Sequence, residues 1–121
     1  MKKISDSRRE KLKKDKEEIG KLHSFFLELW DENEEFNECE EGYVRCFETG
    51  RKLFTKWFKN NILCYSHILP KHLYPEYKMN KKNIVIVHPE KHSQYELFPD
   101  MAKKQWELKQ ELIKLHLEGN L

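Results

Sequence analysis

Three residues stand in an order that suits phosphodiester hydrolysis. His67 lies in Ser66-His67-Ile68-Leu69-Pro70, Asn83 opens Asn83-Ile84-Val85-Ile86-Val87, and His92 follows nine residues after Asn83. Hydrolysis of a phosphodiester wants a base to take a proton from water. It wants a cation to neutralise charge on the phosphate oxygens and the leaving group. It also wants the base held in one tautomer by a hydrogen-bonding partner. A β-hairpin with a helix across it brings a strand His, a loop Asn and a helix His round one small pocket. Each residue alone has a plainer reading. His67 reads as a core histidine, Asn83 as a turn cap, and His92 with Glu96 as an exposed i,i+4 pair. Their joint order and context favour a site.

The elements that must position these groups can be traced along the chain. Residues 6 to 36 read as a long amphipathic helix with Leu12, Ile19, Leu22, Phe26, Leu29 and Trp30 on one face. The acidic stretch from Asp31 to Glu41 reads as a helix end and a loop. Tyr43 to Phe47 has strand character, and Leu53 to Phe58 reads equally as a short helix or an irregular segment. Ile62 to Leu69 is a second strand, closed by Pro70. Ile84 to Val87, four β-branched residues in a row, is the clearest strand. Pro89 and Glu90 suit the first turn of a helix carrying His92 and Glu96. A last helix runs from about Asp100, an expected N-cap, to about Glu118, with Met101, Leu108, Leu112 and Leu115 as its apolar stripe. With 121 residues, one domain is expected over 1–121.

Composition narrows the class. Hydrophobic residues make up 38% and charged residues 36%, and no apolar run approaches the roughly 20 residues of a membrane span. The charged start lacks an apolar secretory segment, and three cysteines are an odd number. Free thiols in a reducing cytoplasm are therefore expected. Charge is segregated: residues 28–41 hold eight acidic and no basic side chains, whereas residues 45–92 hold ten Lys and Arg against three Glu, with four of the six histidines. A basic, His-rich middle suits a phosphate backbone, and a solvated surface explains the counts equally well. Arg51, Lys52, Lys71, His72, Lys81 and Lys82 are the candidate nucleic-acid contacts.

The segment from Ser66 to His92 resembles the HNH (ββα-metal) endonuclease motif. The His-Asn-His order, the spacing of nine and the Ile68 and Pro70 continuation carry the resemblance, which covers roughly residues 43–98. It implies an α+β fold, a β-hairpin plus helix flanked by long N- and C-terminal helices (1–36 and 100–118). It implies a metal-dependent DNA endonuclease, with His67 as general base, Asn83 steadying the hairpin and His92 binding the metal. The cofactor implied is Mg²⁺ or Mn²⁺, or a transition metal such as Zn²⁺ or Ni²⁺. A small protein of this kind is expected to be phage or mobile-element encoded, acting in a bacterial cytoplasm.

There are departures from the family pattern. Ser66 stands where the family commonly has an Asp metal ligand, and a hydroxyl is the weaker ligand for a hard cation. Glu96 sits where the DNase colicins, similar in this motif, place a further metal-binding His, so Glu96 is the second expected ligand. Cys46 and His88 fall on positions of the family's zinc knuckle, but Thr49 and Lys91 replace the other two ligands, and these are poor ligands. A relic knuckle without zinc is expected, with a rescued site through Cys39 or Cys64 the lesser alternative. Cys64 is expected to be a buried small hydrophobe. Two other classes stay open: a catalytically inactive DNA-binding or inhibitory protein on the same fold, and a zinc-stabilised structural module. A homodimer through the first helix also stays open.

Overall fold

A computed structural model describes residues 6–121, and the side chains of 13, 14 and 16–121. The architecture is α+β, with four helices and two small antiparallel sheets. Helix α1 spans Asp6–Asn33. Its apolar face is buried only toward the end, where Phe26, Leu29 and Trp30 enter the core. Ile19, expected on that face, is 68% exposed, and Leu12 lies outside the described side chains. The chain leaves the helix at Asn33, earlier than expected, because Glu35–Phe36 pairs as strand β1.

Strand β2 (Gly42–Arg45) pairs with β1 and with β3 (Lys52–Phe54). The undecided segment at Leu53 is thus the end of β3 followed by a single helical turn, α2 (Thr55–Phe58). Trp30, fully buried, ties α1 to this turn through Nε1–H donated to Thr55 Oγ1 at 3.0 Å.

The second sheet is a hairpin of β4 (Tyr65–His67) and β5 (Ile84–Ile86), in register Tyr65↔Ile86, Ser66↔Val85, His67↔Ile84. The expected strand from Ile62 to Leu69 is shorter because Ile62–Cys64 forms a 3₁₀ turn, capped by the Asn61 side chain. Helix α3 (Pro89–Leu97) follows β5, with Pro89 in the first turn and the His88 ring accepting the Glu90 N–H. The amide of Phe47 donates to Ile86 O at 2.8 Å, which joins the turn after β2 to the hairpin.

Helix α4 (Lys103–Leu117) starts later than expected, after a 3₁₀ turn at Pro99–Met101. Asp100 sits inside that turn and does not cap the helix. Glu48, on the turn between β2 and β3, does so instead, accepting the N–H groups of Lys104 (2.9 Å) and Gln105 (3.1 Å). A carboxylate at a helix N-terminus satisfies orphan donors and meets the positive end of the dipole. Met101, expected in the buried stripe, is 60% exposed, and Leu112 is the buried member. Among the described residues, no helix is long and apolar enough to cross a membrane.

Candidate active site

His67 is the last residue of β4, half-buried against Phe26 of α1, with ring centroids 5.8 Å apart. Its Nε2 lies 2.8 Å from the carbonyl of Lys78. A carbonyl only accepts, so Nε2 carries the proton and Nδ1 holds the lone pair. No described residue bonds Nδ1, and no buried side-chain nitrogen or oxygen lacks a partner, so Nδ1 is open to solvent in the cavity. Burial holds the His67 pKa below the ordinary imidazole value. The Lys78 carbonyl opposes this by favouring the charged ring, while the nearby Lys71 and His92 add to the lowering. The ring is therefore neutral at neutral pH, the form that a base requires.

Asn83 explains why the hairpin loop holds still. It is fully buried at the end of the Lys81–Asn83 turn. Its Oδ1 accepts the Leu69 N–H at 2.6 Å, and its Nδ2 donates to Leu69 O (3.1 Å) and Tyr77 O (3.2 Å). Its own carbonyl accepts from Ile68 at 2.9 Å. The loop is pinned at both ends, and Lys78, the partner of His67, follows directly on Tyr77. Tyr95 of α3 adds a further tie, donating its hydroxyl to Ile68 O at 2.6 Å; burial raises its pKa to about 12, so the proton stays on.

His92, half-buried on α3, faces two acceptors. Nδ1 is 2.7 Å from Leu63 O, and Nε2 is 3.0 Å from Glu96 Oε1, one helical turn on. A neutral ring has one N–H for two oxygens. Donation from Nδ1 to Leu63 leaves Nε2 as a lone pair beside a carboxylate. That is a donor set for a divalent cation, with the outer carbonyl fixing the tautomer as is usual for a metal-binding His. His92 and Glu96 would supply two protein donors to such an ion; among the described residues, no group of three or more His, Cys, Asp or Glu is placed to hold a metal.

Ser66 lines one cavity with His67, His92 and Glu96. It is 1% exposed, and its hydroxyl donates to Gln105 Oε1 at 2.7 Å. Gln105, fully buried on α4, in turn donates Nε2–H to Lys91 O at 3.1 Å. The hydroxyl's proton is engaged in a strand-to-helix brace. The sequence signal for Gln105 is a polar residue in the core register of α4, between Met101 and Leu108.

His67, His92 and Glu96 line one cavity of about 590 Å³, together with Lys71, His72 and Lys109. Lys109, from α4, was not among the expected contacts. The other basic candidates are elsewhere. Lys81 pairs with Glu32, Lys52 lies 4.7 Å over the Tyr43 ring, and neither these nor Arg51 and Lys82 line the cavity.

Cys46 and His88, the positions compared above with a zinc knuckle, touch one another. Cys46 Sγ accepts the His88 N–H at 3.3 Å, and the His88 ring packs 5.5 Å from Phe58. Cys64 is fully buried, and burial, then the neighbouring Cys46, pushes its thiol up to about 12. Cys39 is exposed. Set against models of protein families, curated proteins and solved structures, the chain matches none.

Proposed function

We propose that this chain is a metal-dependent endonuclease of the HNH kind, hydrolysing phosphodiester bonds in DNA. The observation that carries the reading is convergence. A neutral histidine with an open nitrogen, a His–Glu pair and two lysines come from β4, α3, α4 and the turn after β4 to one cavity.

In this reading His67 Nδ1 takes a proton from water, and the Lys78 carbonyl holds the ring for it. Asn83 keeps the loop that carries Lys78 in place. Lys71 and Lys109 hold the phosphate by charge, and His72 adds a polar contact. A divalent cation at His92 and Glu96 would stabilise charge on the phosphate oxygens and the leaving group.

Nicking of supercoiled plasmid with Mg²⁺, Mn²⁺, Zn²⁺ or Ni²⁺, wild type against His67→Ala, tests this. Metal-dependent nicking lost in the variant is expected. DNA binding without nicking under any of these metals rejects it. That outcome favours the second reading, a non-catalytic DNA binder, which draws on one observation: Ser66 is spent on Gln105.

A further inference from the structure

The cavity holds more than a phosphate needs. Phosphate requires cations and N–H donors. Yet the lining also includes the apolar side chains of Phe26, Ile62, Leu63, Pro70 and Pro99. Ile62 is 59% and Leu63 50% exposed. The apolar surface continues past Pro99 to Phe98 and Met101, 59% and 60% exposed. Lys109, on the cavity wall, lies 5.3 Å over the ring of Trp106.

Continuous duplex offers nothing to such walls. Its bases are stacked inward, and its backbone meets a protein through charge. An unstacked nucleobase offers an apolar face on the same residue that carries the phosphate, which is how single strands are held. About 590 Å³ falls within the roughly 300–1,000 Å³ of small-molecule sites. The cations Lys71 and Lys109 give the cavity the charge of a phosphate partner, whereas an apolar peptide would leave them unmatched.

We propose that this cavity seats an unpaired nucleobase against Ile62, Leu63 and Pro99, so that the substrate is single-stranded or frayed DNA rather than continuous duplex. The inference rests on the nuclease reading above and narrows its substrate. The Leu63 carbonyl fixes His92, so the turn that carries Ile62 and Leu63 also holds one member of the ligand pair.

The test compares metal-dependent cleavage of one sequence as a single strand, a splayed fork and a blunt duplex. Wild type, Ile62→Ser and Leu63→Ser are used; both side chains are half-exposed, and the backbone carbonyl is kept. Wild type is expected to cut the single strand and fork about ten-fold faster than the duplex. Each variant is expected to lose about ten-fold on those two substrates, the effect of one lost base contact, and little on the duplex. Equal or faster cleavage of duplex overturns the inference and leaves the nuclease reading standing. Variants with unchanged rates on all three also overturn it, and would leave the apolar wall to a protein partner. No cleavage of any substrate by wild type overturns both readings together.

Discussion

Asn83 grips Leu69 by both of its backbone polar groups, accepting the N–H at 2.6 Å and donating to the carbonyl at 3.1 Å. The clamp spans the loop between β4 and β5 and sets where His67 finds its carbonyl partner. Asn83→Ala removes three side-chain hydrogen bonds and leaves the Leu69 N–H buried and unpaired. The expected loss is about 3 kcal/mol of stability by urea unfolding. Asn83→Asp is expected not to rescue, because its carboxylate would face the carbonyls of Leu69 and Tyr77. Near-wild-type stability in either variant would contradict the clamp.

His67 sets a pH dependence. Its folded pKa lies below the ordinary, unfolded value of about 6.5. The unfolded chain therefore binds the proton more readily, and stability falls as pH drops through about 6.5 toward the folded value. The rate depends on the neutral ring, so nicking holds at pH 6.5 and declines only below it. His67→Ala removes the base and is expected to cost at least about 100-fold. A wild-type rate that halves well above pH 7 would assign the base elsewhere.

Lys71 and Lys109 line the cavity, whereas Lys52 is spent over Tyr43. Lys71→Ala and Lys109→Ala are each expected to weaken binding of single-stranded oligonucleotide. Each should also lower the slope of log affinity against log salt by about 0.7, the share of one phosphate contact. Lys52→Ala is expected to change neither. Fluorescence anisotropy across a salt series reads all three.

Ser66→Asp tests the brace and the ligand pair together. It restores the carboxylate common to the resembled motif but buries a charge beside Gln105. Without metal, Tm is expected to fall. With Mn²⁺, Tm should recover by more than wild type gains, because binding to the folded state alone stabilises it. Recovery no larger than wild type's would place no cation between β4 and α3.

Gln105→Ala removes the acceptor of Ser66 and the donor to Lys91 O at once. It is expected to lose about 2–4 kcal/mol in thermal or urea unfolding, from a cavity and two unpaired groups. Gln105→Glu keeps an acceptor for Ser66 but opposes a carboxylate to the Lys91 carbonyl, and should recover only part of that loss.

The hairpin, α3 and the meeting of His67 and His92 at one cavity are legible because strand propensity, proline punctuation and polar spacing agree there, whereas Asn83 does not line that cavity and holds the loop instead. Three things are not legible. Ile19 obeys helical periodicity yet stays exposed, because periodicity marks a face without saying how far the body beneath it extends. Asp100 looked like a cap, but the donors of α4 were met by Glu48 from a distant turn, which local sequence does not encode. Lys81 and Lys82 stand beside Asn83 in sequence, yet neither lines the cavity, whereas Lys109 of α4 does. Neighbours in a chain share a loop, whereas a site collects groups by tertiary packing.

The carboxylate of Glu48 fastens α4, and α4 supplies both Gln105 and Lys109. Part of the cavity lining is thus borrowed from a helix that follows His67 and His92 in the chain. On the ribosome, a nascent chain that already displays His67, Asn83 and His92 still lacks that wall, and Ser66 has no acceptor. Under the proposed nuclease reading, competence to cut DNA follows only once translation has passed residue 109.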